Sequence, residues 1–217
     1  MIPVPLAPEP AGFDATVRQP GRSAILELVG QAPARPRKGR ARKPRATREA
    51  DIPAAAFPPY WRQALPELRE AYKGRCAFLA LYIEAATGDD SVDHMLPKSR
   101  HWDRVYEWSN YRLCAGLINA HKGDLDGIID PFECQPGWFA LEMIGYQVTL
   151  GPSLPADKVA QAEATLPLLN RRECRKQREE YVRDYENREI ALPYLERRAP
   201  FVALELRRQG LLHPEDV

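Results

Sequence analysis

The chain has 217 residues, 44% hydrophobic and 28% charged, the balance of a soluble globular protein with room for one domain and extensions. It holds no run of 18 apolar residues, and its proline-broken first ten residues do not read as a secretory leader. Membrane insertion is therefore not expected, and the expected compartment is the cytoplasm. The net charge of +1 hides an asymmetry: residues 1–50 carry ten Lys/Arg against four Asp/Glu, and the remainder carries 21 against 26. A basic arm on an acidic body points to a polyanion partner for the arm, while the body can offer carboxylates to a metal.

In chain order, residues 1–50 read as an extended arm, because Pro3, Pro5, Pro8, Pro10 and Pro20 oppose a long helix. A short apolar stretch at 24–29 can dock on the body. Residues 35–48 carry eight basic residues and no acid until Glu49, among them Arg37, Lys38, Arg40, Arg42 and Lys43. The run reads equally as a phosphate-tracking arm or as a solvated linker. Residues 60–72 include helix, starting or breaking near Pro66. Residues 77–83 are apolar enough for a strand or a buried helix, and periodicity does not decide between them. A turn at 88–90 precedes a short strand at 91–96, and a second strand is expected at 111–114. A helix over 117–122 stops at Gly123. Residues 137–150 alternate as a hairpin around Gly145. Residues 156–190 read as salt-bridged amphipathic helix, and Pro193 and Pro200 divide the tail.

The chemistry is concentrated in three pieces: Val92-Asp93-His94-Met95-Leu96-Pro97-Lys98-Ser99, then Trp108-Ser109-Asn110-Tyr111-Arg112, then Asn119-Ala120-His121-Lys122-Gly123-Asp124. Phosphodiester hydrolysis needs a metal to neutralise charge on the scissile phosphate, a base with a pKa near 7, and something to hold that base at one tautomer. Asp93 and His94 are neighbours on a strand, so their side chains leave opposite faces. Asn119, at a helix start, offers a neutral oxygen that suits a hard cation. Asn110 can fix the loop after His94 through that loop's backbone, and Lys98 and Lys122 are placed in sequence to meet phosphates. His121 lies about 200° around a helix from Asn119, which favours a phosphate contact or an exposed position over a third metal ligand.

These residues resemble the HNH endonuclease family: Asp93-His94, then Asn110, then Asn119 nine positions on and Lys122 three further. The resemblance covers roughly residues 76–132. It implies an α+β fold in which a ββα-metal core, set here at 51–152, is wrapped by helices; the basic arm at 1–50 and a helical extension at 153–217 are read from composition. It implies Mg²⁺ or Mn²⁺ on Asp93 and Asn119, His94 as general base, and Asn110 as the residue that organises the catalytic loop. DNA is the implied substrate, cut to 3′-hydroxyl and 5′-phosphate ends, with activity falling below the His94 pKa. The expected substrate contacts are Lys98, Lys122 and His121 around the motif, from their places in the sequence, and Arg37, Lys38, Arg40, Arg42 and Lys43 of the basic run, from its charge.

Many family members carry two Cys pairs on a structural zinc. Here only Cys76 and Cys114 stand near those places, so no structural zinc is expected and both read as small core residues. The chain is also similar to small bacterial HNH nucleases, some of which act in anti-phage systems of the Septu and Zorya kind beside a larger partner protein. A defence effector, a mobile-element enzyme, a ribonuclease or tRNA-cleaving toxin with the same core, and a non-catalytic nucleic-acid-binding module all stay open.

Overall fold

A computed structural model describes residues 1–34 and 39–217, so the expected contacts at Arg37 and Lys38 lie outside the described residues. The fold is α+β, with helices and two small antiparallel sheets in two compact units. One unit comprises residues 6–72 and 90–126, the other residues 1–5, 73–89 and 127–217. This division cuts across the three consecutive segments expected from composition. No described helix is long and apolar enough to cross a membrane.

The first unit is built around a ribbon. A π-helical turn, Asp14–Arg18, runs into helix α1, Gln19–Leu28, where an extended arm was expected. Pro20 stands where the π-helical turn passes into α1, and that wider turn accommodates its ring and its missing N–H. Phe13, Val17, Ala24, Ile25 and Leu28 recur at helical spacing and are all buried. Residues 13–28 of the expected arm thus contribute to the core, while residues 39–50 have no buried side chain. Phe13 meets Trp108 and Tyr111 edge-on at 5.6 and 5.7 Å, and Trp108 donates its indole N–H to the Ala7 carbonyl at 2.8 Å.

A 3-10 turn, Tyr60–Ala64, leads into helix α2, Leu65–Ala71, with Pro66 in its first turn. Strand β1, Asp90–His94, pairs antiparallel with β2, Tyr111–Ala115, and helix α3, Gly116–Lys122, follows at once. The second strand and the helix fall within a residue of where the sequence placed them, and β1 ends two residues before the expected 91–96. Gly123 ends α3 with φ +49°, a conformation that a side chain resists.

Gly21 has a different reason to be glycine. A methyl there would stand 2.2 Å from a Tyr106 ring carbon, and that ring is anchored by its hydroxyl on the Pro58 carbonyl at 2.9 Å. Gly21→Ala is expected to cost about 1–3 kcal/mol through overpacking. A thermal melt indistinguishable from wild type would contradict this packing.

The second unit is mainly helical. The expected hairpin is present as β3, Phe139–Leu141, and β4, Val148–Leu150. Its turn is closed by the Glu142 carboxylate, which accepts N–H bonds from Ile144, Gly145 and Gln147. Helices α4, Val159–Leu169, α5, Arg172–Glu186, α6, Leu192–Arg198, and α7, Pro200–Arg208, complete the unit. On α5 the expected solvated face is broken by Arg178, which is buried. Its guanidinium donates to the Tyr146 carbonyl at 2.9 Å and the Leu169 carbonyl at 3.1 Å. Residues 77–83 form neither strand nor helix. They lie in a buried loop, with Cys76 N donating to Leu81 O at 2.8 Å and Ala80 N to Cys76 O at 2.9 Å. All four cysteines are free and buried, in keeping with the core reading of Cys76 and Cys114.

Candidate active site

The register of the ribbon sets the geometry. Asp93 faces Arg112 across it and His94 faces Tyr111. Alternation sends Ser91 and Asp93 to one side and Val92 and His94 to the other. Asn119 and Lys122, three apart on α3, share a helix face, and both reach β1. Asn119 Nδ2 donates to Ser91 Oγ at 3.1 Å and to the Val92 carbonyl at 3.3 Å. A backbone carbonyl only accepts, so the amide nitrogen must be the atom beside Val92.

Lys122 lies beneath the ribbon, not at its surface. Its side chain is 0% exposed, and Nζ donates to the His94 carbonyl at 2.9 Å while standing 3.1 Å from Asp93 Oδ1. An ammonium so enclosed does not reach a phosphate in solvent. This corrects the expected substrate contact: Lys122 pins the end of β1 and balances the Asp93 charge.

His94 is held from three directions. Its Nε2 is 2.9 Å from the Val105 carbonyl, the Trp61 ring stands perpendicular to it at 4.9 Å, and Tyr111 packs at 5.2 Å. The carbonyl fixes the tautomer: Nε2 carries the proton, and Nδ1 keeps the lone pair. Burial, reinforced by the charge of Lys98, pushes the imidazole pKa down to about 3, against the pull of the Val105 bond. This differs from the base near 7 that the sequence suggested, and it makes the neutral imidazole the form present around pH 7.

Asn110 does what its position implied. Its Oδ1 accepts from Leu96 N at 2.7 Å, and its Nδ2 donates to the carbonyls of Leu96 and Arg104, each at 3.1 Å. Its own carbonyl accepts from Met95 N at 2.9 Å. One buried side chain thus ties both ends of the loop between the strands, the loop that also presents the Val105 carbonyl to His94.

Lys98 Nζ lies over the Trp61 ring at 4.5 Å, half-buried, and burial lowers its pKa. His121 is exposed at the end of α3, on the side away from the ribbon contacts. Arg40 and Lys43 are exposed. Arg42 is turned inward: Nη1 bonds Glu27 at 2.6 Å and Nη2 the Tyr60 hydroxyl at 3.0 Å. Arg42 is therefore a clasp between the basic run and α1, in place of the expected DNA contact. The ribbon and α3 bring together Asp93, His94, Asn110, Asn119 and Lys122. The basic run is not shown to join them.

Sequence reasoning missed Trp61, Tyr111 and the Val105 carbonyl. Trp61 carried only the signal of an aromatic in a proline-flanked stretch, and a backbone carbonyl carries none. Comparison with known proteins adds no relative: no family model matches the chain, and neither does a curated protein or a solved structure.

Proposed function

We propose that the chain is a metal-dependent endonuclease of the HNH kind that hydrolyses phosphodiester bonds in DNA. The observation that carries this reading is His94 with its tautomer fixed by the Val105 carbonyl, on a ribbon whose other face joins Asp93 to the helix bearing Asn119. A folded ββα unit supports the ordered motif far more strongly than either strand or helix alone would.

The donor set fits a hard divalent cation. A carboxylate and an amide oxygen are oxygen ligands of the kind Mg²⁺ and Mn²⁺ accept, leaving further positions for water and phosphate. Among the described residues no group of three or more His, Cys, Asp and Glu forms a closed metal site. Asp93 must also share its carboxylate with the Lys122 ammonium. Asp93 and Asn119 would hold the ion, which supplies charge neutralisation at the scissile phosphate and its leaving oxygen. His94 Nδ1 takes a proton from the attacking water, and the Val105 carbonyl keeps its bond to Nε2–H as the ring becomes cationic. Asn110 holds the loop that aligns them, and Lys98 offers a cation to a neighbouring phosphate.

Plasmid, linear duplex, single-stranded DNA and RNA should be digested side by side with Mg²⁺, Mn²⁺ and a chelator. DNA cleavage that the chelator abolishes is the expected result. Salt-sensitive binding without a nick in any metal would overturn the proposal, and cleavage confined to RNA would reassign the substrate.

A further inference from the structure

We infer that Trp61 is a positioning residue of this site, one indole that orients both the His94 imidazole and the Lys98 ammonium. The inference rests on the nuclease reading above and extends it to a residue outside the motif. The Val105 carbonyl fixes a single ring atom of His94, and one hydrogen bond leaves the plane of the ring free to swing about it. Two aromatic contacts remove that freedom: Trp61 at 4.9 Å and 88°, and Tyr111 at 5.2 Å and 75°. Tyr111 is a strand residue opposite His94, so its place is set by the ribbon itself.

Trp61 comes from the 3-10 turn Tyr60–Ala64, and it also carries Lys98 Nζ over its ring at 4.5 Å. The turn is fixed in place. Pro58 and Pro59 restrict the chain before it, and Tyr60 and Trp61 each pack on Tyr106 at 6.1 Å. A cation over an aromatic face is held by the ring quadrupole, so the same indole fixes the base and the phosphate-facing charge relative to one another.

The test compares wild type with Trp61→Phe, Trp61→Leu, Lys98→Met and the Trp61→Leu/Lys98→Met double variant, each checked for folding by circular dichroism. In the wild type, the Lys98 side-chain methylene protons nearest Nζ should show an upfield ring-current shift by NMR. Trp61→Phe, which keeps an aromatic face, is expected to retain kcat within about threefold. Trp61→Leu is expected to lower kcat roughly 10- to 100-fold through misplacement of His94, and to raise KM through Lys98. The double variant should then raise KM no further than Trp61→Leu alone.

A folded, nicking protein whose Trp61→Leu variant keeps wild-type kcat and KM would overturn this inference and leave the nuclease reading standing. A wild type that nicks nothing overturns both. If Trp61→Leu does not fold, an unshifted Lys98 signal in the wild type, or a Trp61→Phe protein with kcat lost, overturns the inference by itself.

Discussion

Plasmid nicking by a His94→Ala protein is expected to fall by about 10²- to 10⁴-fold, the range associated with loss of a general base. The effect should lie in kcat, because His94 is buried and its proposed partner is the attacking water and not the bulk of the nucleic acid. Alanine also empties the space between Trp61 and Tyr111 and removes one of the two donors to the Val105 carbonyl, leaving the Tyr111 hydroxyl at 2.9 Å. His94→Gln separates these effects: its amide can still donate to a carbonyl, yet it cannot take a proton near neutral pH. Both variants should be equally inactive while the glutamine protein is the more stable. Nicking at the wild-type rate by either folded variant would remove His94 from the mechanism.

Lys122→Met should produce the largest loss of stability, about 3–5 kcal/mol, because it removes a charge partner of the Asp93 carboxylate inside the protein and a donor to the His94 carbonyl. The ammonium and the carboxylate are 0% and 2% exposed and 3.1 Å apart, and the same ammonium bonds the His94 carbonyl at 2.9 Å. Removing the ammonium alone keeps the buried carboxylate but takes away a counter-charge, whereas removing both charges does not unbalance the pair. The Lys122→Met/Asp93→Asn double variant should therefore recover much of the lost stability in urea unfolding. It should not recover nicking, since the carboxylate proposed to hold the metal is gone. A single-variant loss below about 1 kcal/mol would contradict this role for the Lys122 ammonium.

The ribbon and α3 were legible in the sequence because local signals agreed there. A turn at 88–90, alternating strands and a glycine stop at Gly123 all fit one short unit. The hairpin around Gly145 was legible for the same reason. The first 30 residues were not. Their prolines argued for an extended arm, yet Pro20 falls where a π-helical turn passes into α1, the apolar residues from Phe13 to Leu28 are buried, and Phe13 packs on Trp108 and Tyr111. Tertiary packing outweighed the proline count.

At the site, the order Asp93, His94, Asn110, Asn119, Lys122 named groups that the fold brings near one another, and Asn110 bonds the backbone of the loop after His94 as its position suggested. The direction of each long cation was beyond sequence. Lys122 and Arg42 turned inward because Asp93 and Glu27 are buried acids that need a counter-charge. The surroundings of His94 were hidden too, since Trp61 lies 33 positions away in the chain and Val105 contributes only backbone.

The measurement that bears most directly on the whole account is conversion of supercoiled plasmid to open circle by the wild-type protein with Mg²⁺, followed by DNA ligase. A single metal-dependent hydrolytic centre predicts nicks that appear only with the divalent ion and that ligase reseals, because the ends are 3′-hydroxyl and 5′-phosphate. Plasmid left supercoiled in Mg²⁺ and Mn²⁺ alike, or nicked equally well in a chelator, would contradict it.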